Sequence, residues 1–161
     1  MRFGQARAQD VSLSPLTHTG NVWRVGTGVQ ALTTSQYLVL LLTNTSLIKP
    51  LQLLHFRLGC TGPLFFRAQI NATTDLPAGV RTPMCAILDA RAYAGALAAK
   101  SAVQAAVPSG GTAYPADWVA GTTMSDKIGG PLVLPANSNF CLFGQVNGNN
   151  SASITCTFIE F

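Results

Sequence analysis

The sequence predicts an all-β protein, an antiparallel β-sandwich of jelly-roll type, on three observations. Apolar residues recur in short runs bounded by Gly, Pro, Asn and Ser, many at the two-residue period of a strand. Residues 128–161 carry Glu160 as their sole charge, so the chain ends by building sheet that needs an opposing sheet to cover it. Hydrophobic residues make up 48% and charged residues 10%, against about 25% charged in ordinary soluble domains. At 161 residues one domain is expected, with roughly two-thirds of the unfolded surface buried.

In chain order, residues 1–20 mix charge, Gln, Ser and Pro with isolated apolar positions and read as an N-terminal arm. Residues 21–161 read as a single jelly-roll-like domain. Short strands are expected over 21–24 and 28–32, broken at Gly26 and Gly28. The run 36–43 is continuously apolar, as in a strand covered on both faces. Asn44, Thr45 and Ser46 form a polar turn, and Pro50 leads into a strand over 51–59. There the alternation puts Leu54, Phe56 and Leu58 on one face and Leu53, His55 and Arg57 on the other. His55 has no acidic neighbour in sequence and reads as structural or exposed. Over 64–70, Leu64, Phe66, Ala68 and Ile70 alternate with Phe65, Arg67 and Gln69, and a further short strand falls within 83–89.

An insertion spans 90–130. Residues 90–107 contain nine alanines, a density that favours a short helix from about Tyr93 to Ala106, ended by Pro108 and Gly110. The competing reading is a small-residue loop packed on a neighbouring subunit. Residues 108–130 are rich in turn signals, with Tyr114 and Trp118 as anchors. The chain closes with a hairpin of 139–146 and 152–161 around the tip Asn147 to Ser151. A tip centred between Gly148 and Asn149 sets Cys141 opposite Cys156, geometry open to a disulfide, although two packed thiols are the preferred state.

Function classes narrow by exclusion. The +4 formal charge is spread over single arginines rather than gathered into a phosphate-binding footprint, so direct nucleic-acid binding is not expected. There is no continuous apolar leader and no run near the roughly 20 residues that cross a bilayer. Cys60, Cys85, Cys141 and Cys156 have no zinc spacing, and no nucleotide, zinc-protease or serine-hydrolase motif occurs. No enzyme, metal or cofactor is expected. The triplets beginning at Asn44, Asn71 and Asn149 match the glycosylation pattern, which carries little weight without a secretory signal. Low charge with apolar excess favours oligomerisation. Phe65 beside Arg67 has the composition of an interface centre, or equally of a barrel or sandwich face covered by a loop.

The order of these features resembles small structural proteins of tailed bacteriophages. The similar elements are the arm, YLVLLLTNTS with the proline-led LQLLHFRLG, LFFRAQI, the Gly- and Pro-rich insertion, and PLVLPANSNFCLFGQ followed by NGNNSASITCTFIEF. The Ala-rich 90–107 and the four cysteines depart from that pattern. The resemblance implies a virion protein made in the host cytoplasm, a homotrimeric capsid decoration or cement protein whose partner is the major capsid protein. Arg2, Arg7, Arg24, Phe65 and Arg67 are its candidate interface. The alternative it implies is a glycan-binding head-fibre or tail adhesin, with Tyr93, Tyr114 and Trp118 as sugar contacts.

Overall fold

The computed structural model describes residues 22–73, 79–85, 92–114, 118–120, 123–126, 132–146 and 148–160, with the backbone alone at 64, 85, 118–120 and 123–126. Its strands are β1 (Val22–Gly26), β2 (Gln30–Leu32), β3 (Tyr37–Asn44), β4 (Leu51–Cys60), β5 (Leu64–Ile70), β6 (Val80–Arg81) and β7 (Met84–Cys85). They continue with β8 (Leu97–Gln104), β9 (Thr112–Ala113), β10 (Trp118–Ala120), β11 (Thr123–Asp126), β12 (Leu132–Leu134), β13 (Asn139–Val146) and β14 (Asn150–Glu160). Among the described residues there is no helix, and the pairings make two antiparallel sheets.

The first sheet runs β11-β4-β14-β1-β7, with β12 also on β4 and β2 also on β14. The second runs β10-β5-β13-β3-β8-β6, with β9 also on β5. Between them lies one core. Leu38, Leu40, Leu42, Phe66, Phe140 and Leu142 face it from the second sheet, and Leu53, Phe56, Leu58, Ile154, Cys156 and Phe158 from the first. Phe56 and Phe140 stack across the sandwich with centroids 5.4 Å apart, inside the range for favourable aromatic pairs. The run in β3 is covered on both faces as expected, because Val39 and Leu41 belong to a second cluster with Cys141 and Phe143 on the far side of the sheet.

Three local expectations are corrected. The Ala-rich segment is no helix: β8 pairs along its whole length with β3, from Tyr37↔Gln104 to Asn44↔Leu97. Helix propensity is a weak preference, and here it yields to the unpaired edge of a deeply buried strand, whose N–H and C=O groups need an extended partner. Leu97, Ala99 and Ser101 are buried while Ala98 and Lys100 are exposed, which is the period of a strand.

The terminal hairpin is absent. β13 lies in the second sheet and β14 in the first, joined by an arch through Gly148 at φ +93. Cys141 therefore opposes Leu41 and Gln69, while Cys156 opposes Val25 and Phe56. The two cysteines occupy different clusters, and neither they nor Cys60 form a disulfide. Burial pushes Cys141 up to about 12.

The third correction is in β4. The ladder with β14 passes from Thr157↔His55 to Phe158↔Leu53, so Leu54 is a bulge residue. One extra residue reverses the alternation. Leu51 and Leu53 therefore face the core with Phe56 and Leu58, and Leu54 does not share their face.

Candidate functional site

The outer face of the second sheet is half covered. At one end residues 71–73 and 108–109 lie together over it, tied by Thr73 N–H to the Ser109 carbonyl (3.0 Å) and by Gln69 Nε2 to the Pro108 carbonyl (3.3 Å). Asn139 Nδ2 donates to the Ala72 carbonyl at 3.0 Å. Beneath lie Val39, Ala72 and Cys141. Gln69 Oε1 and Asn139 Oδ1 are buried there with no partner among the described residues.

At the other end the face is open, and register decides which side chains meet. Gln145 sits between Tyr37 and Phe65, and Phe143 between Val39 and Arg67. Odd positions of β5 and β13 point outward, since Phe66, Phe140 and Leu142 fill the core. Tyr37, Phe65, Arg67, Phe143 and Gln145 line a groove of about 310 Å³ with Val107. Tyr37 meets Phe143 edge-on at 6.4 Å, whereas Phe65 and Val107 remain 54% and 51% exposed. Aromatic walls with an arginine and an amide at the rim suit a docked side chain from another protein.

Of the residues singled out in the sequence, Phe65 and Arg67 are brought together in this groove. Arg24 is exposed on the outer face of the first sheet instead. There it stands beside β14 opposite Thr157, and Arg57, also exposed, flanks the same strand opposite Thr155. His55 is half-buried, with Nε2 3.3 Å from Thr157 Oγ1. Neither Arg24 nor Arg57 is ion-paired among the described residues. Arg2 and Arg7 lie outside the described residues, and Trp118 is described only through its backbone pairing with Phe66. Sequence reading missed Tyr37, Val107, Phe143 and Gln145. Register assembles Tyr37, Phe143 and Gln145, and Val107 joins them from the segment after β8.

Tyr93 and Tyr114, the other aromatic candidates, are occupied by the fold. Tyr114 packs edge-on against Phe140 at 5.7 Å, with its N–H on the Ala68 carbonyl. The Tyr93 hydroxyl donates to Glu160 Oε1 and accepts from Leu97 N–H at 2.6 Å, while Ala96 N–H reaches the same carboxylate oxygen at 2.8 Å. Trp23 and Phe158 flank the ring. A Cβ on Gly95 would meet that carboxylate and make it shift from its present position.

Burial first, then the hydrogen bond to Glu160, raises the Tyr93 phenol well above its ordinary value. A folded value above the unfolded one, near 10, means that the contribution is complete below about pH 10 and lost as pH rises through the folded value. Tyr93→Phe is expected to cost about 1–2 kcal/mol at neutral pH. Thermal melts should also show wild type losing its advantage over the variant above about pH 10. An advantage unchanged by alkali would show that the hydroxyl does not couple to folding.

Among the described residues no cluster of His, Cys, Asp and Glu has the makings of a metal site. No helix among them is long and apolar enough to cross a membrane. Compared with known proteins, the chain matches no protein family, no curated sequence and no solved structure.

Proposed function

We propose that the chain is a non-catalytic virion structural protein, a jelly-roll sandwich that decorates and cements a capsid shell. What the fold leaves exposed carries the reading: contact surface rather than assembled chemistry. One outer face presents Arg24 and Arg57, and the other presents an aromatic groove at Phe65 and Arg67.

The jelly-roll part of the proposal is supported by the order of pairing. β1 pairs with β14, β3 with β13, β4 with β11 and β5 with β10. Numbered one to eight along the chain, these strands pair first with last, second with seventh, third with sixth and fourth with fifth. That is a long two-stranded ribbon, and rolling it into two sheets brings β14 beside β4 and β13 beside β5. The rival sugar-binding reading loses support because Tyr93 and Tyr114 are engaged inside the fold.

The physical action would be linkage. A subunit that binds only the assembled shell adds its binding free energy to that state, and many copies accumulate modest contacts. The cationic face around β14 suits an acidic seam between capsomers. In the test, shells lacking the protein are mixed with it, and bound stoichiometry and resistance to heat-induced DNA release are measured. Saturable binding is expected, weakening as salt rises and lost in Arg24→Glu/Arg57→Glu. Absence of binding and protection by wild type would overturn the proposal. Specific glycan-array signals lost on Trp118→Ala would then install the adhesin reading.

A further inference from the structure

The geometry points to a homotypic head-to-tail contact in which the Leu47-Ile48 tip of one copy fills the Phe65-Val107 groove of the next. This deepens the reading of the chain as a docking module by naming the occupant of its groove.

The tip is a built protrusion. Leu47 and Ile48 are adjacent and each 84% exposed, the most exposed large apolar side chains among the described residues. The loop that carries them is pinned from beneath. Asn44 Nδ2 lies 2.9, 3.1 and 3.0 Å from the carbonyls of Lys49, Leu134 and Pro135, and its Oδ1 accepts from Ser46 N–H at 3.0 Å. Ser46 Oγ takes the N–H groups of Ile48 and Lys49 at 3.2 and 2.8 Å, and Asn137 N–H holds the Ser46 carbonyl at 3.0 Å. A tip fixed in this way loses little conformational freedom on docking.

Size and chemistry match. A cavity of about 150 Å³ accepts benzene, with six carbons, and the groove of about 310 Å³ has room for the eight side-chain carbons of Leu47 and Ile48. Its walls are Tyr37, Phe65, Val107 and Phe143. No chain can satisfy itself, because β3 runs from Tyr37 at the groove to Asn44 at the base of the tip, and eight residues of strand separate the two by ~23 Å. Two unlike surfaces at opposite ends of one molecule give a heterologous contact, which closes into a ring where the rotation permits.

Sedimentation of the full-length protein tests this with two double variants, Leu47→Asp/Ile48→Asp and Phe65→Asp/Val107→Asp, each checked by thermal melting. Wild type is expected to associate with rising concentration. Each variant alone should dissociate on the order of ten- to a hundredfold more readily. Mixed in equal amounts, the two should recover one junction and sediment as a dimer, since one keeps the groove and the other the tip. As a readout free of disruptive charges, oxidation of Ile48→Cys chains mixed with Phe65→Cys chains should give crossed disulfides in preference to like pairs. A monomeric wild type at high concentration, unaltered association of both variants, or a mixture that stays monomeric would overturn the inference. Loss of shell binding in Phe65→Asp/Val107→Asp, with wild type monomeric, would assign the groove to the capsid and leave the proposed function standing.

Discussion

Asn44→Asp is expected to lower the melting temperature by about 10 °C, a large effect for one heavy atom. The Asn44 side chain is fully buried, and its two amide hydrogens are shared among three carbonyls, Leu134 in the buried interior and Lys49 and Pro135 nearer the surface. Aspartate keeps the acceptor for Ser46 N–H but turns the donating side into a second oxygen facing those carbonyls. Each buried group left unsatisfied costs about 1–3 kcal/mol, and in a domain of this length 1 kcal/mol moves the melting temperature by about 2–4 °C. The loss should also depend on pH. Protonation restores one donor, so the folded carboxyl titrates above its unfolded value near 3.9; the variant fares best below that pH and worsens as pH rises. Asn71→Asp is the control. Asn71 is exposed and uses its side-chain oxygen as an acceptor for Asn139 N–H, a role aspartate preserves. Equal melting temperatures for the two variants would remove the Asn44 network from the account of stability.

Phe140→Ala should be comparably damaging, at about 3–5 kcal/mol. The ring is fully buried, stacks on Phe56 of the opposite sheet and receives the edge of Tyr114, so its loss opens a void where the two sheets meet. Phe65→Ala is the informative contrast. Phe65 is the same residue type on a neighbouring strand, yet it is half exposed, and its truncation should cost under about 1 kcal/mol. Denaturant titration of both variants separates the phenylalanine that holds the fold from the one that stands half exposed. Similar midpoints would show that Phe65 is packed more tightly than its exposure indicates.

These contrasts also mark what a sequence can disclose. The apolar run of β3 and the alternation of β5 were legible because each depends on residues adjacent in the chain. The bulge at Leu54 was not, since a parity switch is invisible until the partner strand fixes it. The fate of residues 97–104 was decided by an unpaired β3, and nothing within an alanine-rich segment announces a neighbour that needs an edge. The closing segment misled for a related reason. Alternation with a Gly-Asn tip describes a hairpin and an arch equally well, and it tells which faces are apolar without telling which sheet each strand joins. Within the groove, Phe65 and Arg67 were recognisable by type. Tyr37, Phe143 and Gln145 enter only through antiparallel register. The value of Asn44 was hidden behind its place in a polar turn, where a side chain is ordinarily expected to meet water.

The arch between β13 and β14 bears on how the molecule comes into being. β14 occupies the middle of the first sheet, between β4 and β1, yet it follows every other described strand in the chain. A polypeptide made from its N-terminus must therefore carry β1 and β4 with open edges until residues 150–160 have emerged, and Val22 finds Ile159 only then. Closure over so long a stretch is costly in chain entropy and places the fold among the slow, milliseconds-to-seconds class. In the interval, the apolar faces of β1 and β4 lie open to other nascent chains. Insertion of β14 is thus the step that joins β1 to β4 and completes the first sheet.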